Sequence, residues 1–301
     1  MKIKTRIKIP EKLSVRLYIG VFFAFFLIFL LLGFPRDSVE RRIIFEIQSN
    51  SPVPVLIGDA DLRGLSSIEL RDIRVMLGER EPLVIDRARV SAGLLSVIFS
   101  DDTRISFSVD AYGGKIDGKV SQNMKKKSVT SAEVDINSVE SSTVSRLFLG
   151  DGGISVSGKI DGTIKLIGEG ESGGISKMEY LVSSPSFSVA IGKVQGFEVG
   201  EEYRNLSVVL RGTANRFESR VEKLSLTNPQ LSLQAEGKAP SPLRLRKGAA
   251  LDLSVTFRPS PEDVKLALVG SFLGSRGDGS FSGRIRGTLA EPRILKGNGG
   301  S

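Results

Sequence analysis

Ile154 to Leu166 reads ISVSGKIDGTIKL. Ile154, Val156, Ile160, Ile164 and Leu166 share one face if this stretch is extended, and Ser155, Ser157, Lys159, Asp161, Thr163 and Lys165 share the other. A period of two marks a half-buried β-strand, because successive side chains point to opposite sides of a sheet. At roughly 3.3 Å per residue such a strand is about 40 Å long, which predicts a tall, extended sheet more than a compact sandwich.

The same alternation spreads in both directions. Ile68 to Leu77, Leu83 to Ala92 and Arg104 to Ala111 read as strands on the N-terminal side. Later strands are expected at Phe187 to Ile191, Leu206 to Arg211, Phe217 to Leu226, Leu231 to Ala235, Leu251 to Phe257, Val264 to Val269 and Phe281 to Leu289. Leu94 to Phe99 reads as a helical turn. The fold class expected is mainly β: an elongated, curled, largely antiparallel sheet spanning residues 51–301.

A short signature recurs as Gly114-Lys115-Ile116-Asp117-Gly118, Gly158-Lys159-Ile160-Asp161-Gly162 and Gly283-Arg284-Ile285-Arg286-Gly287. In a strand its two glycines and its isoleucine lie on one face, which is therefore apolar yet pitted and able to curl. The charged residues meet water on the other face. The spacing between copies is irregular, so this is recurring strand chemistry and not a fixed-period solenoid.

The first fifty residues differ. Residues 1–16 carry Lys2, Lys4, Arg6, Lys8, Lys12 and Arg16 against Glu11, a net of +5 out of +8 for the whole chain. Residues 17–34 read LYIGVFFAFFLIFLLLGF, uncharged and about as long as a helix needs to cross a hydrocarbon core. Leu17, Tyr18, Phe22, Phe26, Leu30 and Phe34 are its expected membrane anchors. Gly33-Phe34-Pro35 offers no small-x-small cleavage pattern, so the span reads as a retained anchor and not a signal peptide. The basic tail keeps the N-terminus in the cytoplasm, and the bulk is exported to the periplasm. Residues 35–50 read as an amphipathic helix with Val39, Ile43, Ile44 and Ile47 on one face and Asp37 or Ser38 as cap. It could lie on the membrane surface or cover a sheet edge, and edge covering is the reading preferred.

Composition narrows the chemistry. The chain has no Cys, His or Trp, so disulfides, thiolate nucleophiles, imidazole bases and the usual transition-metal ligands are all excluded. Beyond the tail the remaining charge, about +3, is spread among alternating signs without an aromatic basic stripe, which argues against nucleic acid. Gly168, Gly170 and Gly173 match a dinucleotide fingerprint, but no helix is expected after them. Asp59 and Asp61 resemble the start of a calcium loop, but Arg63 and Leu70 stand where oxygen ligands are needed. Asp101-Asp102 and Glu201-Glu202 are adjacent carboxylates, which point to opposite faces of a strand. Lys125 to Lys127 and Arg276-Gly277-Asp278 read as solvated turns. No catalytic, cofactor or metal residue is expected. A Ser-Lys hydrolase needs a buried Lys, and the lysines here fall mostly on polar faces.

Several of these stretches together resemble the type II secretion system protein N family in its longer, non-enteric form. They are the basic tail and span, the Phe34-Pro35 exit, Gly64 to Val75 (GLSSIELRDIRV), Leu83 to Val90 (LVIDRARV), the Leu94 to Phe99 turn, the Tyr112 to Gly118 segment, and Gly283 to Pro292 (GRIRGTLAEP). The same features are similar to AsmA-like envelope proteins, some of which are thought to conduct lipid along an apolar groove. The resemblance implies a non-enzymatic accessory or scaffold component of a type II secretion machine in the inner membrane, reaching towards the outer-membrane secretin and the inner-membrane platform. It supplies no functional residues.

The alternative is AsmA-like binding or transfer of phospholipid. The apolar face decides between the two: closed over as core it serves a scaffold, and open as a groove it serves lipid. Its candidate residues are Phe107, Val109, Ile116, Ile160, Ile164, Leu231, Leu233, Leu266, Leu268 and Ile285. Packed core is the first reading of each, because most alternating apolar faces are packed.

Overall fold

The computed structural model describes residues 22, 36–51, 53–64, 66–76, 82–93, 102–123, 125–126, 128–142, 154–169, 175–194, 197–243, 250–263, 267, 270–271, 273–288 and 292–296. The chain divides into two compact units, Met1–Asn50 and Ser51–Ser301. In the first, helix α1 (Arg36–Asn50) leaves Val39, Ile43, Ile44 and Ile47 half-buried while Arg41, Arg42 and Gln48 are exposed. Asp37 and Ser38 lie inside the helix and not ahead of it, since the helix already includes Arg36. Asp37 still places a carboxylate in the first turn, where the helix dipole favours it. The expected span at 17–34 lies outside the described residues apart from Phe22, which is helical. Among the described residues no helix is long and apolar enough to cross a membrane.

The second unit is a single fifteen-stranded sheet, antiparallel throughout and not closed. Its strands are β1 (Val55–Arg63), β2 (Ser67–Val75), β3 (Leu83–Ala92), β4 (Asp102–Ala111), β5 (Gly114–Asn123), β6 (Ser128–Glu140), β7 (Ile154–Gly168) and β8 (Ile175–Val194). They continue as β9 (Phe197–Asn215), β10 (Glu218–Thr227), β11 (Leu231–Pro240), β12 (Ala250–Pro259), β13 (Gly274–Arg276), β14 (Ser280–Thr288) and β15 (Pro292–Lys296). Strands β1 to β12 pair in chain order, and β12 then pairs with β14. On the far side of β14, β13 pairs with residues 280–282 and β15 with residues 283–287, so two short strands share one edge end to end.

Every pair of strands in substantial contact is also a hydrogen-bonded neighbour in the sheet. All fifteen strands therefore lie in one sheet, and its curl brings β8 and β9 towards β12, β14 and β15 across the apolar face, where Val189, Tyr203, Phe257 and Ile294 wall one pocket. Open sheets beyond about ten strands must curl, split or flatten. Here the strands bend at bulges and at left-handed residues. Asp72, Ser138 and Asn205 have φ of 51°, 53° and 55° within strands, and the register shifts beside Ser138 and Asn205 but not beside Asp72. At each, alternation skips a step: Leu70 and Ile73, Ile136 and Val139, and Tyr203 and Leu206 all stay on the apolar side. Such bulges bend a strand and increase its local twist without surrendering the buried face.

Three expected elements change. The structure joins the segments around Phe187 and Leu206 into much longer strands, β8 and β9, and Pro185 is tolerated because the register shifts between Ser184 and Phe187. Phe217 is not in β10. The carboxamide of Asn215 accepts the backbone N–H groups of Phe217 and Glu218, forming a turn that leaves Phe217 77% exposed. The strand expected at Val264 to Val269 is helical where described, at Ala267, whose N–H donates to the Asp263 carbonyl at 3.0 Å. Ser260 to Asp263 form a turn, and Asp263, whose carbonyl accepts this bond, stands at the cap position where Asp is favoured.

Candidate functional site: the apolar face of the sheet

Register turns the alternation of single strands into continuous rows. One row runs Leu62, Ile68, Val90, Phe107, Gly118, Val134, Ile164, then Tyr180, Gly212, Val221, Gly237, Leu253, Ile285 and Ile294. It crosses every strand except β13 without a charged residue. The next row on that face runs Ala60, Leu70, Ala88, Val109, Ile116, Ile136, Gly162, then Val182, Leu210, Leu224, Ala235, Val255 and Gly283, ending at Lys296.

Burial along this face is uneven. Ala60, Ala88, Ala132, Ala214 and Ala235 are buried, and so are Leu70, Met178, Val221 and Val255, while Phe107, Val109, Ile116, Ile160, Ile164, Leu233 and Ile285 are only half-buried. The half-buried members are the part of the face that stays open to solvent.

Two glycines of this face act as beds, Gly118 from the recurring signature and Gly212 outside it. A Cβ at Gly118 would overlap the Phe107 ring, and one at Gly212 would meet the Tyr180 phenol at 2.5 Å. Tyr180 completes its seat with a 2.8 Å hydrogen bond between its hydroxyl and that of Ser219. Rings seated over cross-strand glycines restore contact that glycine lacks.

Towards the C-terminal end the face deepens. Tyr203, Leu206, Leu231 and Phe257 form a buried cluster, with Phe187, Val189, Val208, Leu233, Leu273 and Phe281 packed against it. Leu206 is 1% exposed. Beside this cluster lies an apolar pocket of about 290 Å³, walled by residues that include Tyr203, Leu206, Leu233, Val255, Ile285 and Ile294.

Of the residues singled out from sequence, Phe107, Val109, Ile116, Ile160 and Ile164 share the apolar face but not the pocket. Leu231, Leu233 and Ile285 line it. Leu266 and Leu268 lie outside the described residues. Sequence reading missed Tyr203, Leu206, Val255 and Phe257, because the Arg204-Asn205 slip hides the first two and only register brings them all together.

The opposite face is a ladder of charge. One row runs Lys119, Glu133, Lys165 and Glu179 across β5 to β8. Exposed pairs such as Lys165 with Glu133, 3.0 Å apart, are screened by solvent and contribute little to stability. Glu69 differs: it is 1% exposed beneath arginine side chains, accepting bonds from Arg89 at 2.6 Å and from Arg71 at 2.6 and 3.0 Å. These bonds, Arg89 first, hold its carboxyl down at about 2. Asp59 and Asp61 sit within 4.0 Å of Arg71, so they are spent on arginine. Asp278, in the turn between β13 and β14, is likewise lowered to about 2, chiefly by the Ser280 hydroxyl and N–H, with Arg258 adding its charge. These are structural pairings in strands and turns. None lines the apolar pocket.

No family model matches this chain, and no curated protein and no solved structure matches it either.

Proposed function

We propose that this chain is a non-enzymatic, membrane-anchored protein of the bacterial envelope whose exported sheet holds lipid acyl chains on its open apolar face, as AsmA-like proteins are thought to do. One observation carries the reading: uncharged rows cross nearly the whole of a single sheet, and Phe107, Val109, Ile116 and Ile164 along them stay half-exposed. An apolar surface left half-open over this extent is costly in water and is relieved by hydrocarbon. The uncharged stretch at 17–34 supplies the anchor in this reading, with the basic tail in the cytoplasm and the sheet in the periplasm.

The type II secretion reading stands beside it, supported by the protein N-like stretches and by the long charged ladder on the other face. In that reading the sheet is a scaffold that touches the secretin or the inner-membrane platform. Mass spectrometry of lipid extracted from the purified segment 36–301 separates the two. Phospholipid at near-stoichiometric amount supports lipid holding, whereas a lipid-free segment that captures secretin supports the scaffold. A strain lacking the gene gives a second axis: loss of secretion favours the machine, and altered outer-membrane permeability with normal secretion favours lipid.

A further inference from the structure

We propose that the C-terminal apolar pocket binds one fatty-acid anion, with its chain against Tyr203, Leu206, Leu233 and Ile294 and its carboxylate at Lys296. The proposal rests on the lipid-holding reading and adds to it a site, a ligand class and a headgroup residue.

The size of the pocket sets the chain count. At roughly 30 Å³ per water-sized group, 290 Å³ holds about ten methylenes, enough for much of one acyl chain and too little for two. The wall is almost wholly aliphatic and aromatic, so hydrocarbon gains there what it loses in water.

The edge of the sheet supplies the charge. Lys296 pairs with Gly283, which pairs in turn with Val255 of the pocket wall. It is two residues from Ile294, so register puts it on the pocket face, where it ends a row that is otherwise uncharged. Lys296 is exposed, and among the described residues it pairs with no carboxylate. Arg284, Arg286 and Arg293 alternate with Gly283, Ile285 and Ile294 and so belong to the opposite face, where Arg284 and Arg286 share the carboxylate of Asp252 at 3.1 and 3.3 Å. Lys296 is thus a positive charge at the end of an uncharged row, beside an apolar pocket, which is the complement of a fatty-acid anion.

The edge also gives a way in. Because β13 and β15 divide the outer side of β14 between them, the sheet steps at Ser282 and Gly283. Leu273 covers Gly283 at that step and also belongs to the pocket wall. Ile294, on the edge strand, is 36% exposed.

The test uses the full chain in phosphatidylcholine nanodiscs with a diazirine-bearing dodecanoate, photolysed and mapped by peptide mass spectrometry. Adducts are expected on the peptides containing Tyr203, Leu233 and Ile294. Dodecanoate should compete at roughly fivefold lower concentration than dodecanol, the worth of about 1 kcal/mol from one exposed charge contact. Lys296→Glu, a change on an exposed edge that leaves the pocket wall intact, should abolish that preference while leaving competition by dodecanol unchanged. Equal competition by acid and alcohol in the unaltered protein overturns the headgroup assignment and leaves lipid holding standing. Adducts confined to other parts of the apolar face overturn the pocket assignment. Absence of adducts from the whole face overturns both the proposal and the reading beneath it.

Discussion

Phe107 and Gly118 are cross-strand partners on β4 and β5, and the Phe107 ring occupies the space a side chain at position 118 would fill. Gly118→Val should therefore destabilise the sheet by about 1–3 kcal/mol through overpacking, read as a lower urea midpoint. Adding Phe107→Ala to Gly118→Val should recover part of the loss. Additive losses in the double variant would mean that the ring does not rest on this glycine.

Asn205 occupies the left-handed region between two buried residues, Tyr203 and Leu206. Asparagine tolerates that conformation and a β-branched residue does not. Asn205→Val should cost about 1–2 kcal/mol, while Asn205→Gly should stay close to the starting stability. Equal denaturation midpoints for the Val and Gly variants would contradict the slip in alternation placed here.

Among the described residues Leu206 is the largest fully buried side chain. Leu206→Ala should cost about 2–5 kcal/mol, as buried leucine truncations do. It should also enlarge the pocket, which Leu206 helps to wall, and so raise labelling there by an apolar photoprobe.

Acid should weaken the sheet through Glu69. Its carboxyl titrates at about 2 in the folded chain against an ordinary value of 4.5, because Arg89 and Arg71 bond to its ionised form. A lowered folded value gives stability that is fully present above about 4.5 and lost as pH falls from there through about 2. Thermal midpoints should decline across that window, and Glu69→Gln should flatten the decline, leaving a residual slope from Asp278 and the other lowered carboxylates, Asp117, Glu140, Glu179 and Glu202. Parallel curves for the two proteins would contradict the role given to the arginine cluster.

Much of this sheet was legible in single strands. The alternation from Ile154 to Leu166 marks β7 almost to its ends, because one face must stay dry and the period of a strand is fixed at two. The length of β8 was not legible, since Pro185 and its flanking serines read as a break until a register shift absorbs them. The helical segment at Ala267 was not legible, because the alternating apolar residues of Val264 to Val269 read as a strand. The pocket was hidden for a different reason. Tyr203, Leu233, Val255 and Ile294 come from four strands, and their meeting depends on pairings that no single stretch records.

Thr163 and Ile164 are neighbours on β7 that face opposite ways: Thr163 donates to Asp135 at 3.0 Å, and Ile164 stands in the uncharged row. Photo-crosslinking in living cells, with benzoylphenylalanine placed at one position or the other in the full chain, tests the open apolar face most directly. Lipid adducts at position 164 and none at 163 are the expected result. Crosslinks from 164 only to other parts of this same chain, with no lipid adduct, would show a covered face and contradict the account.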